Sequence, residues 1–188
     1  MDIDNTMITT IFYIIFFCIC LWILASLVFW SIRNGISPMP TAPAAKNTLL
    51  KAIPPKMHGI VYELGSGWGS LAFPLARELR HCQVIGYENS FIPFLFSQLR
   101  HLLVPKYNLR FYRRDFYTVS LKDADLVVCY LYPKAMSKLK DKFVKELKPE
   151  AWILSNTFAI PGWEPRQVFD VEDLYNTKIY LYRLSDHI

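Results

Sequence analysis

Val61-Tyr62-Glu63-Leu64-Gly65-Ser66-Gly67-Trp68-Gly69-Ser70 is an apolar strand that runs into three glycines at alternate positions, and a helical pattern follows it. Such a loop suits a ligand with a small polar tail and a ribose. Glycine lets the backbone come close to the tail, and a carboxylate at the end of the next strand can accept two ribose hydroxyls. Glu88 is that carboxylate, closing a second apolar run about twenty residues on. The dinucleotide fingerprint G-x-G-x-x-G is not matched, because Gly65, Gly67 and Gly69 are spaced by two and Ser70 stands where the third glycine is needed.

Outward from the loop, strand and helix patterns alternate. Strands are predicted at Gly59 to Glu63, Cys82 to Tyr87, Leu109 to Tyr112, Asp125 to Tyr130 and Trp152 to Phe158. Helices are predicted at Lys46 to Ile53, after Gly69 (Leu71, Leu75 and Leu79 at i, i+4, i+8), at Phe91 to Leu103 and at Lys134 to Lys148. The last carries a core stripe of Met136, Leu139, Phe143 and Leu147 opposite a lysine face. Gln167 to Val171 and Ile179 to Leu184 read as a terminal hairpin. The alternation implies a parallel α/β sheet with right-handed crossovers. In such a sheet a ligand lies beyond the carboxyl ends of the strands, where Glu63, the glycine loop, Glu88, Asp115 and Tyr130 to Pro133 all fall.

From Met7 to Trp30 no residue is charged. As a helix this run of 24 residues is about 36 Å long, enough for a bilayer core. The first residues hold Asp2 and Asp4 and no basic side chain, and no small-x-small site follows the run, which argues for an anchor over a cleaved signal. The chain therefore reads as a short tail (1–6), a transmembrane helix (7–30), a proline-rich linker (31–45) and one domain (46–188). Arg33, Lys46, Lys51 and Lys56 follow the run, so the positive-inside rule puts the N-terminus outside and the domain in the cytoplasm. Beyond residue 32 the chain carries all 21 Lys and Arg against 14 of its 16 acids, a surface suited to anionic headgroups. Cys18 and Cys20 lie in the anchor, Cys82 and Cys129 in buried strands, and no metal-ligand spacing is present. The isolated His58, His81, His101 and His187 are expected at the surface or at strand ends.

The E/D-x-G-x-G-x-G spacing, Glu88, Asp115 and the strand order resemble class I S-adenosylmethionine (SAM) methyltransferases from about Pro40 onward. The resemblance implies a Rossmann-like seven-stranded sheet whose C-terminal hairpin adds an antiparallel strand. It also implies SAM as cofactor: Gly65, Ser66, Gly67 and Gly69 beside its methionine part, Glu63 toward the ammonium, Glu88 on the ribose, Asp115 and the Phe116 N–H on the adenine. The Asn/Asp-Pro-Pro-Tyr motif of many N-methylating members is replaced by Cys129-Tyr130-Leu131-Tyr132-Pro133. The acceptor is therefore expected to be positioned by Tyr130, Tyr132, Pro133 and Trp163, whose rings suit a cationic group.

A closer resemblance is to small membrane-anchored methyltransferases whose mitochondrial members modify lysines of the ATP synthase c subunit and the adenine nucleotide carrier. It rests on the apolar segment, the proline-containing linker, the Leu-Gly-Ser-Gly loop and Phe158-Ala159-Ile160-Pro161-Gly162-Trp163-Glu164-Pro165. Trp68 and Ser70 depart from that branch, which has Asp then Arg around the third glycine. The resemblance implies a bilayer partner and methylation of an amine, a protein lysine first, with no nucleic acid expected. Two alternatives stay open: a lipid or apolar small-molecule acceptor, and a SAM-binding scaffold without catalysis.

Overall fold

The structure, a computed structural model, describes residues 5–35, 37 and 39–188. Most of the N-terminal tail and Pro38 of the linker thus lie outside the described residues. The chain divides into two units, Met1–Ser37 and Pro38–Ile188.

The first unit holds one helix, α1 (Asn5–Asn34). Ile8, Phe12, Phe16, Leu24 and Phe29 all stand more than half exposed. A helix apolar on every side has no partner face in water. Its stretch Met7–Asn34 is long and apolar enough to cross a membrane by length and composition. The helix continues past Trp30 because nothing in Ser31–Asn34 breaks it, and the Ser31 hydroxyl donates back to the Leu27 carbonyl at 2.7 Å.

The second unit is a seven-stranded mixed sheet. Its strands are β1 (Gly59–Leu64), β2 (Cys82–Glu88), β3 (Leu109–Arg113), β4 (Ala124–Cys129), β5 (Trp152–Asn156), β6 (Gln167–Asp170) and β7 (Lys178–Arg183). Their order is β3-β2-β1-β4-β5-β7-β6. The first five are parallel, and β7 enters antiparallel between β5 and β6. This is the Rossmann-like sheet with a C-terminal antiparallel hairpin. The central strands are β-branched and apolar because both faces are covered: Val61, Val84, Leu126, Val128 and Leu154 face one layer, while Leu64, Val127 and Ile153 face the other.

The first layer is α2 (Pro43–Lys51), α3 (Ala72–Glu78) and α4 (Phe91–Leu103). The second is α5 (Pro133–Glu146), with Met136, Leu139 and Phe143 fully buried as its stripe predicts. The β3-to-β4 crossover has no helix; Phe116, Val119 and Leu121 cover the sheet there. Most element boundaries shift from the sequence reading by one to three residues, and two of the shifts have a plain physical reason. Helix α2 begins at Pro43 rather than Lys46, since proline at the first position lacks only an N–H that has no helical partner. Strand β5 stops at Asn156 rather than Phe158, because Thr157 turns to φ +69°.

Candidate active site

The strand ends at the carboxyl edge meet around the glycine loop. After β1 the Gly65 and Ser66 amides both donate to the Tyr87 carbonyl, at 2.9 and 3.0 Å, and fold the loop onto β2. Glu88 is buried at the end of β2 and accepts from the Gly67 N–H and the Ser90 N–H, each at 2.8 Å. One carboxylate therefore fixes the loop from below. Gly67 has φ +51°, and a Cβ built there meets nothing within 4 Å. The loop bends around open space that only a glycine backbone approaches so closely.

Glu63 points from β1 into the same region. It is buried, its Oε2 has no hydrogen-bond partner, and the Ser66 hydroxyl is likewise buried without one. Burial first, and the Glu88 charge second, push the Glu63 carboxyl well above the ordinary carboxylate range. A buried polar atom left unpaired costs free energy, and a ligand that brought a cation to Glu63 would relieve that cost. The ammonium of SAM is such a group, and the site fits it.

Asp115 follows β3, which the Arg114 N–H to Glu88 carbonyl bond (3.1 Å) holds against β2. Its Oδ1 accepts from the Tyr117 N–H at 2.9 Å and fixes the turn. The Phe116 ring is buried and packs against Tyr117, with ring centroids 4.6 Å apart. Its Cε1 would lie 4.0 Å from a Cβ on Gly65.

Past β4 the Tyr130 ring stacks on Phe158, centroids 6.4 Å apart and planes 20° off parallel. Phe158 is held by the Ser155 hydroxyl donating to its carbonyl at 2.5 Å. Tyr132 caps α5 half-buried, and Pro133, the first residue of that helix, is exposed. Trp163 is buried elsewhere in the same core layer: its ring partners are His187, stacked at 4.3 Å, and Tyr182. The structure thus brings Tyr130 and Phe158 together and gives Trp163 other ring neighbours. His187, expected at the surface or at a strand end, is half-buried in the turn that follows β7, and burial lowers its pKa. His101 is also half-buried, packed between Phe73 and Phe111.

Three residues with supporting roles were missed in sequence. Ser70 accepts from the Thr41 N–H at 3.1 Å and ties the start of the domain to the glycine loop. Ser90 completes the Glu88 cradle. The Tyr182 hydroxyl accepts from the Ile160 N–H at 3.0 Å and pins the loop that carries Phe158. All are contacts distant in sequence or through the backbone, and composition carries no signal for them.

A mixed sheet with its first five strands parallel, a glycine loop after β1, buried acids Glu63 and Glu88 at the ends of β1 and β2 and a half-buried Asp115 after β3 defines a class I SAM-dependent methyltransferase, with SAM as methyl donor. Residues 63–167 match the family described as the ANTKMT methyltransferase domain, and the chain belongs to that family. It is 28% identical over 156 residues to a protein-lysine N-methyltransferase of Saccharolobus islandicus (strain REY15A), covering 79% of this chain and 94% of that protein. It is 31% identical over 121 residues to the mouse adenine nucleotide translocase lysine N-methyltransferase, covering 63% of this chain and half of that protein. Among solved structures, an RNA methyltransferase from Salinibacter ruber in complex with S-adenosyl-L-homocysteine shares the fold at a TM-score of 0.68 and 21% identity, over 80% of this chain and 96% of that one. A B. subtilis tRNA methyltransferase shares it at 0.60 and 11% identity, over 77% and 67%.

Proposed function

We propose that this chain transfers the SAM methyl group to the ε-amine of a protein lysine while α1 holds it in a membrane, N-terminus outside and domain in the cytoplasm. The observation that carries the lysine acceptor is the match to two lysine N-methyltransferases, one over 94% of its length. The likeness to RNA methyltransferases, at 21% identity or less, concerns the fold. Glu63, Ser66 and the Gly65–Gly69 loop would hold the methionine part, Glu88 the ribose, and Asp115 with the Phe116 N–H the adenine. When bound, SAM supplies an activated methyl group on a sulfonium.

The protein's own task is to bring a neutral amine in line with that methyl. Deprotonating a lysine of pKa about 10.4 at pH 7 costs about 4.6 kcal/mol. The Tyr130–Phe158 stack, with Tyr132 and Pro133 beside it along the chain, offers an apolar wall that desolvates the amine and lowers this cost. Trp163, whose N–H donates to the Ile160 carbonyl, would act through the loop that carries Phe158. The anchor raises the local concentration of a membrane-protein substrate.

The test is to incubate membranes with methyl-labelled SAM and the full chain, then separate protein from organic extract. Label in protein, lost on Tyr130→Ala with SAM affinity kept, supports the reading. Label confined to the organic extract rejects the lysine acceptor, and SAM binding without any transfer rejects the enzyme.

A further inference from the structure

Helix α4 turns a large apolar face away from the core. Leu95, Phe96, Leu99, Leu102 and Leu103 recur at i, i+1, i+4, i+7 and i+8, the spacing of one helical face. That face points outward, with these side chains 49–78% exposed. The buried residues of α4 are Pro93 and Ser97. Phe94 packs half-buried against the core, while the five large apolar side chains on the outer face leave a contiguous patch of the kind that marks an interaction surface.

The surroundings say what covers it. Between Asn89 and Arg114 there are five basic residues, Arg100, Lys106, Arg110, Arg113 and Arg114, and no Asp or Glu. All but the half-buried Lys106 are exposed. Arg100 lies on α4 itself and the Arg113 guanidinium sits 5.2 Å from the Phe91 ring at its start, so cations flank the helix, as in one that lies in a membrane interface. The same chain carries a helix long and apolar enough to cross a bilayer. At the near end Phe96 packs edge-on against Trp68 of the glycine loop, centroids 5.4 Å apart, so the patch begins beside the cofactor site.

We infer that the outer face of α4 docks in the headgroup region of an anionic bilayer, as a second membrane contact besides α1. Charge complementarity with the negative leaflet and burial of the five large side chains supply the attraction.

The test uses the full chain in nanodiscs of phosphatidylcholine with phosphatidylserine. Cys18 and Cys20 are replaced by Ser, Cys82 and Cys129 being buried, and an environment-sensitive fluorophore is placed by Leu102→Cys. A control label goes on Val144→Cys of α5, in the opposite layer. A parallel chain keeping Cys20 reports the anchor with a deep quencher, so failure of the anchor and failure of α4 docking are distinguished.

The expected result is that the label at 102 is quenched by shallow doxyl lipid and shielded from iodide, and the label at 144 is neither. Leu99→Glu with Leu103→Glu abolishes the quenching without changing SAM affinity. Arg113→Gln weakens docking roughly fivefold. Equal iodide access at both positions overturns the inference. So does shielding from iodide without doxyl quenching, which would mean a protein covers the face.

Discussion

Glu63 is the residue with the most to lose by standing where it does. Its carboxyl is buried, has an unpartnered oxygen, and has its pKa raised by burial and by Glu88. A raised carboxyl pKa makes the folded state the better proton binder. The contribution of Glu63 to the stability of the ligand-free protein is therefore greatest at low pH, and it is lost as pH climbs from the ordinary carboxylate value through the raised one. Glu63→Gln is expected to remove this pH dependence and raise the melting temperature of the ligand-free protein at neutral pH. The same change weakens SAM binding by about 10- to 100-fold, the worth of a hydrogen bond to a charged group. Calorimetric melting across pH and isothermal titration with SAM read the two effects, and a variant that lost stability at neutral pH would count against a site waiting for a cation. Gly67→Ala separates fold from ligand in another way. The left-handed backbone costs about 1–2 kcal/mol, but the new methyl meets no protein atom. A small drop in melting temperature with a much larger loss of SAM affinity is expected from the same instruments. Glu63, Gly67 and Glu88 were legible in sequence because the chemistry of the loop dictates residue type and spacing. Ser70, Ser90 and Tyr182 were not, because nothing local distinguishes a serine or tyrosine that will meet a backbone group tens of residues away.

The strands were legible for a related reason. Burial on both faces demands continuous apolar runs, and β1, β2 and β4 are such runs. Where the chain leaves the sheet, the signal weakens. The apolar run of β5 extends to Phe158, yet the strand ends two residues sooner at the left-handed Thr157. Helix α4 shows the opposite failure: its position was readable, but apolar periodicity does not say which side faces the core. Trp163 was expected beside the acceptor tyrosines, and its ring lies against Tyr182 and His187. The loop from Thr157 to Trp163 is what joins these parts. Tyr182→Phe removes the hydroxyl that accepts from Ile160, at a cost of about 1 kcal/mol. Faster hydrogen exchange at the Ile160 amide and slower methyl transfer are expected, with SAM affinity unchanged. Unchanged turnover would show that the loop does not position the acceptor.

The whole chain joins an apolar helix to a basic methyltransferase domain. Both features were visible in composition, since charge and hydropathy add up without regard to the fold. The order of the sheet was legible only through the resemblance to methyltransferases. If α1 is an anchor, the full chain stays with membranes through alkaline carbonate extraction. Phe16→Arg with Leu24→Arg, each costing about 2.5–3.5 kcal/mol near the middle of a span, is expected to release it to the supernatant. Catalysis is tested most directly by mass spectrometry of membrane proteins incubated with SAM and the purified full chain, beside a Glu88→Ala control. Methyl groups appearing on a lysine ε-amine with the intact chain, and absent with the control, are the expected result. Lysines left unmodified by a chain that demonstrably binds SAM would contradict the assignment.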